Sequence, residues 1–254
     1  MYNIPDTIVT FLIIAFLFMV GSLLGWIIEL FFRRFISSKN PGRKWINPGF
    51  LSGPCLPLYG FGLVALFFMS LVPYIGMTKP ADMNWKRIVV AIIAMGIVMT
   101  LIEYIAGLIF IKKMKIKLWD YSDKKGNIQG IICPTFTLIW TVLAAVFYFF
   151  IQPYMIQLVL WFDDNIAFTF FVGMFYGIFV IDMSYSFNVL SKVRKFAKDN
   201  SIIIKYEVLK NEIRKDTDEI KKKWRFLLAL NTHESLYSKL EKCIDEITFV
   251  DKKK

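Results

Sequence analysis

Residues 29–62 read ELFFRRFISSKNPGRKWINPGFLSGPCLPLYGFG. An acid, Glu29, stands near the end of one very apolar run. A basic segment with Arg33, Arg34, Lys39, Arg43 and Lys44 follows, then Trp45, an Asn-Pro-Gly turn at 47–49, and two prolines, Pro54 and Pro57. A second apolar run opens behind them. Two apolar helices joined by a short basic turn are the pattern of adjacent membrane spans.

The rest of the chain repeats that alternation. The chain has 254 residues, 56% of them hydrophobic and 17% aromatic, yet its formal net charge is +11. Ordinary soluble domains are roughly 45–50% apolar. Bases that flank spans account for the positive charge through the positive-inside rule, so no nucleic-acid partner is expected. The N-terminus, MYNIPDTIVT, has no basic n-region and reads as a retained first span. Cys55, Cys133 and Cys243 form no C-x-x-C pair and His233 is the single histidine, which argues against a zinc site or any other metal cofactor.

Five spans are expected: 8–32, 51–75, 88–111, 131–151 and 166–182. The second would have Pro54 in its first turn, and the fourth would stop at Gln152-Pro153. Residues 154–162, YMIQLVLWF, are too short to cross alone and read as an interfacial or re-entrant piece, or else as part of a redrawn fourth span. The loops after spans one and three are basic, as is the C-terminus, so the N-terminus is expected outside and the C-terminus in the cytoplasm. The fold class is thus an all-α polytopic bundle over 1–188, with a basic helical tail over 189–254. In that tail Tyr206, Leu209, Ile213, Ile220, Trp224 and Leu227 form a narrow apolar stripe. Asn231 to Glu234 reads as a capping box opening a second helix, lined by Leu236, Leu240, Ile244 and Ile247. The stripe either folds back on its surroundings or docks a protein partner or a second copy.

Part of the opening stretch recurs. Glu29 precedes Trp45 by 16 residues, and Glu103 precedes Trp119 by 16; Gly49 precedes Tyr59 by ten, and Gly130 precedes Trp140 by ten. Both copies would enter the membrane from the same side, making a parallel repeat of units 8–75 and 88–151. The repeat matches Glu29 to Glu103, and Asp182 is a third acid inside an apolar span. Carboxylates there are costly and need partners. Arg33 is within helical reach of Glu29, and Thr100, Tyr104 and Ser184 lie near the other two. The three acids either bind a substrate, ion or head group, or fix helix packing. Trp45, Asn47, Gly49, Gly53, Pro54 and Tyr59 would shape the first turn, and Trp119, Asp120 and Gly130 the second. Two G-x-x-x-G pairs, Gly21/Gly25 and Gly173/Gly177, mark close helix approach.

The series Glu29, Trp45, Asn47, Gly49-Phe50-Leu51, Gly53-Pro54, Pro57 and Tyr59-Gly60 resembles the bacterial family labelled putative ABC-transporter type IV. Glu103, LWDYSD at 118–123 and NIQG at 127–130 agree with it, while Cys133-Pro134 departs from it. The resemblance covers about residues 8–188 and implies a multi-pass protein of the cell membrane acting as a permease component. No G-x-x-x-x-G-K-[ST] occurs, so an ATP-driven role needs a separate nucleotide-binding subunit. A non-transporting scaffold or sensor working through its tail is the alternative. A membrane-lipid enzyme is disfavoured, because no nucleophile–base pair or metal cluster is legible. A homo-oligomer is compatible with either G-x-x-x-G pair.

Overall fold

In hydrocarbon every backbone N–H and C=O must find its partner within the segment, so the apolar runs fold as helices. The computed structural model describes residues 6–37, 40–75, 84–200, 202–206 and 209. Helix α1 spans Asp6–Phe35. Helix α2 spans Pro57–Leu71 and ends in a 3₁₀ turn, Val72–Tyr74. Helix α3 spans Trp85–Ile109 and widens into a π turn, Phe110–Met114. A two-residue strand, β1 (Ile116–Lys117), follows. Then come α4 (Pro134–Val146), a π turn (Phe147–Ile151), α5 (Gln152–Asp164), a 3₁₀ turn (Ile166–Phe168), α6 (Thr169–Asp199) and β2 (Ile204–Lys205). Among the described residues, five helical runs are long and apolar enough to cross a membrane: Asp6–Phe35, Pro57–Tyr74, Trp85–Met114, Pro134–Asp164 and Ile166–Asp199. The expected helical membrane bundle is therefore present.

Three boundaries differ from the sequence reading. Pro54 does not open the second helix; α2 starts at Pro57. Leu56, the residue before that proline, is extended at φ −119° and ψ 94°, because proline disfavours helical geometry in its predecessor. Pro54 instead centres a three-residue turn in which Cys55 N–H donates to the Gly53 carbonyl at 2.9 Å. Secondly, the helical run does not stop at Gln152-Pro153: residues 154–162 continue it as α5 to Asp164, within one run long and apolar enough to cross. The π turn at Phe147–Ile151 widens the helix just ahead of Pro153, which relieves the clash a proline ring makes with the preceding turn. Thirdly, α6 runs on from Asp182 to Asp199 without a break at 189. The stripe beyond Leu209, the second tail helix and the loop 76–83 lie outside the described residues.

The chain forms two units. The first comprises Met1–Gly25, Leu56–Tyr104 and Ser122–Gly177. One of its cores joins Leu17, Phe67, Ile92, Met95, Ala144 and Phe147. A second is built on Phe16 and Phe162, whose rings stack at 4.3 Å, with Val172 beside them. Close helix contacts are made through glycine. A Cβ at Gly21 would lie 2.7 Å from Leu63 Cβ and 2.8 Å from the Tyr59 carbonyl oxygen. One at Gly60 would overlap Ser22 Oγ, and one at Gly96 would overlap Thr141. Leu56 N–H donates to the Ser22 carbonyl at 3.0 Å, satisfying one of the donors left over at the start of α2.

The second unit comprises Trp26–Cys55, Ile105–Tyr121 and Ile178–Lys254. Its core collects Ile116, Leu190, Val193, Phe196, Ala197, Ile204, Tyr206 and Leu209, with Phe50, Phe110 and Phe187 packed against it. Strands β1 and β2 pair in parallel, Ile116 with Ile204 and Lys117 with Lys205. The period-2 alternation of a strand turns both isoleucines into the core and both lysines out of it.

Candidate functional site

Asn47 is the key of the turn between α1 and α2. It is 2% exposed. Its Oδ1 accepts from Trp26 Nε1 at 2.6 Å, and its Nδ2 donates to the carbonyls of Leu51 (3.1 Å) and Ser52 (2.8 Å). An indole only donates and a carbonyl only accepts, so the amide orientation is fixed. Gly49, at φ +72°, makes the left-handed bend that sends the chain back within reach. Asn47→Ala removes three hydrogen bonds at once and is expected to cost about 3 kcal/mol. Asn47→Asp is expected to cost at least as much, because a carboxylate would face two carbonyls. Thermal unfolding of the purified full chain checks both.

Asp182, from α6, completes this turn. Its Oδ1 accepts from Ser52 N–H at 3.0 Å and its Oδ2 from Gly53 N–H at 2.9 Å; Ser186 Oγ donates to Oδ1 at 3.2 Å. Two consecutive backbone donors pointing at one carboxylate form an anion nest, and here the anion is a side chain of the same chain. Gly53 sits close against the carboxylate: an added Cβ would lie 3.0 Å from Asp182 Oδ2, so the side chain would have to give by a few tenths of an ångström. Glu29 takes the predicted partner, accepting from Arg33 Nε at 2.9 Å one helical turn on. Trp45 stands edge-on to Phe31 and Phe35, with the Arg34 guanidinium 4.2 Å from its ring centroid.

In the same unit Asp120 joins two strands. Lys117 Nζ reaches its Oδ1 at 2.6 Å and Lys205 Nζ its Oδ2 at 2.9 Å. The paired strands bring two ammonium groups side by side, and one carboxylate between them offsets their repulsion. Trp119 beside it is half-buried.

Glu103 belongs to the first unit. It is 4% exposed on α3 and accepts from Trp140 Nε1 of α4 at 2.9 Å. A polar line continues along the α3–α4 contact. Thr100 Oγ1 lies 3.2 Å from Thr137 Oγ1 and donates to the Gly96 carbonyl at 2.9 Å; Thr141 Oγ1 donates to the Thr137 carbonyl at 2.9 Å. The Trp140 ring also meets Tyr59, centroids 6.4 Å apart. Gly130, at φ +64°, closes the turn before α4, its N–H donating to Asn127 Oδ1 at 2.9 Å. Beside that turn is a groove of about 460 Å³ lined by Gly126, Ile128, Ile132, Cys133, Pro134, Thr137, Leu138 and Thr141. None of the three acids lines it.

The structure thus gives each acid its own partners: Arg33 for Glu29, Trp140 for Glu103, and the Ser52–Gly53 backbone with Ser186 for Asp182. Ser184, a sequence candidate, donates to the Val180 carbonyl instead. Trp26, Trp140 and Lys205 are the partners that sequence reasoning left without a role. An indole inside an apolar span needs an acceptor, which was the available signal for the first two. Among the described residues no three His, Cys, Asp or Glu side chains group to hold a metal.

The family described as Putative ABC-transporter type IV matches residues 16–187, and the chain belongs to that family. No curated protein matches the chain. No solved structure matches it.

Proposed function

From that membership we propose that the chain is the membrane-spanning component of a transport system whose ATP-hydrolysing subunit is a separate chain. It would lie in the cell membrane with its N-terminus outside and C-terminus inside, and perform no chemistry of its own. The observation that supports this is Glu103: a carboxylate buried to 4% in an apolar span and bonded across to α4. Ionisable groups kept inside a span are costly, and they mark pathways more often than decoration. The parallel repeat gains support as well. Ser22 stands seven residues before Glu29 and Gly96 seven before Glu103, while Gly60 follows Tyr59 as Thr141 follows Trp140. The contacts Ser22–Gly60 and Gly96–Thr141 therefore occupy matched positions, with the glycine on opposite members of the pair.

Affinity purification of the full chain from its own membranes tests the reading. Co-purification of a nucleotide-binding chain at fixed stoichiometry, with ATPase activity in the complex, is expected. Glu103→Gln should keep the complex and lower ATP-driven flux at least tenfold in vesicles. A chain that purifies without any nucleotide-binding partner, from membranes where its deletion alters no flux, would defeat it. The scaffold alternative is tested by a truncation placed after Leu209. An earlier cut would remove Val193, Phe196, Ile204 and Tyr206 from the core and report unfolding.

A further inference from the structure

The groove beside α4 is built for a different molecule from the one the acids would serve. We propose that it binds an anionic phospholipid of the surrounding bilayer, one acyl chain in the groove and the head group against Lys124 and Lys125. The site is independent of the transport reading.

Its place along the span sets the register. Pro134 begins α4, so Gly126 lies in the turn ahead of the span, while Thr141 lies seven residues into it. At 1.5 Å per residue that is about 10 Å of depth. The groove therefore descends from the head-group level into the acyl region. Its walls are apolar in effect. Ile128, Ile132, Pro134 and Leu138 present hydrocarbon. The two threonines hold their hydroxyl protons inward: Thr137 donates to the Cys133 carbonyl at 3.3 Å and Thr141 to the Thr137 carbonyl at 2.9 Å. A polar solute would exchange water for methyl groups there and gain nothing. Ile128 and Leu138 are 52% and 65% exposed, so the wall is open sideways, as a chain arriving from the bilayer requires.

The upper end carries charge. Lys124 and Lys125 immediately precede Gly126 and both are exposed. Asp123 holds Lys124 at 3.4 Å in a pair whose side chains are 71% and 48% exposed, a weak contact that a phosphate can displace. Basic residues at the head-group level attract anionic lipid. An apolar slot below two lysines discriminates phosphatidylglycerol from phosphatidylcholine at the head and accepts either at the chain.

The full chain in nanodiscs of mixed lipid, with phosphatidylglycerol carrying a diazirine in its acyl chain, tests this without any variant. After irradiation, peptide mapping should place label on residues 126–141. A tenfold excess of plain phosphatidylglycerol should remove most of that label, and the same excess of phosphatidylcholine should not. Lys124→Ala with Lys125→Ala should reduce the preference at least fivefold, and Ile128→Trp should reduce labelling with either lipid. Label spread evenly over the exposed faces of the other helices, or competed equally by both lipids, would overturn the proposal.

Discussion

Asp182→Ala will lower the thermal midpoint of the purified full chain by roughly 6–12 °C. The figure follows from about 3 kcal/mol and the usual 2–4 °C per kcal/mol for a chain of this size. The carboxylate accepts two charge-assisted hydrogen bonds from consecutive backbone N–H groups, Ser52 at 3.0 Å and Gly53 at 2.9 Å. Bonds to an ionised acceptor are worth more than neutral ones, and Ser52 and Gly53 are only half-buried, which holds the estimate to the lower end. Asp182→Asn separates geometry from charge. Its amide oxygen can serve one N–H, while its NH₂ meets the other donor head-on, so an intermediate loss is expected. Asp182→Glu should not restore the wild-type value, because the longer side chain moves its oxygens off the two donors. Differential scanning fluorimetry decides the matter. A midpoint for Asp182→Ala within 1 °C of wild type would show that the nest is satisfied without it.

That carboxylate also shows where sequence reading stops. The five apolar runs and their order were legible, because hydropathy and span length are local properties. So was the Glu29–Arg33 pair, since a spacing of four residues on a helix is itself a contact. The bend at Gly49 followed from turn chemistry. Asp182 was legible as an acid needing a partner, but besides Ser186 one helical turn on, its partners are backbone groups 129 and 130 residues away in sequence. Backbone donors carry no side-chain signature, so no pattern could point to Ser52 and Gly53. The nest satisfies that acid, and helix α6 continues past it to Asp199. Pro153 misled the reading. Local rules end a helix there, and the π turn at Phe147–Ile151 carries it through. Strands of two residues such as β1 and β2 leave no periodicity to detect, so the second lysine of Asp120 was beyond reach.

The glycines of the first unit give the other large effect. Gly60→Ala is expected to cost roughly 3 kcal/mol, at the top of the usual range for overpacking, because one of the obstructing groups is a main-chain carbonyl that cannot rotate away. A Cβ at that position would overlap Ser22 Oγ and lie 2.8 Å from the Phe18 carbonyl oxygen, which is main chain. The two helices would have to separate, and in a membrane their association depends on that closeness, since lipid is as apolar as the side chains it would replace. Gly173→Ala is the matched control. Gly173 belongs to the second G-x-x-x-G pair, as Gly21 does to the first, but nothing lies within 4 Å of an added Cβ there, and alanine is the better helix former, so its midpoint should be unchanged or slightly higher. Ser22→Ala combined with Gly60→Ala should recover part of the loss, because the hydroxyl is the nearest obstacle and the Phe18 carbonyl remains. Gly96→Ala should repeat the Gly60 result through Thr141, the matched contact. If Gly60→Ala and Gly173→Ala shift the midpoint equally, the α1–α2 crossing is not held by close approach. If Gly96→Ala alone is silent, the two helix pairs are packed by different means, and the repeat loses its best structural support.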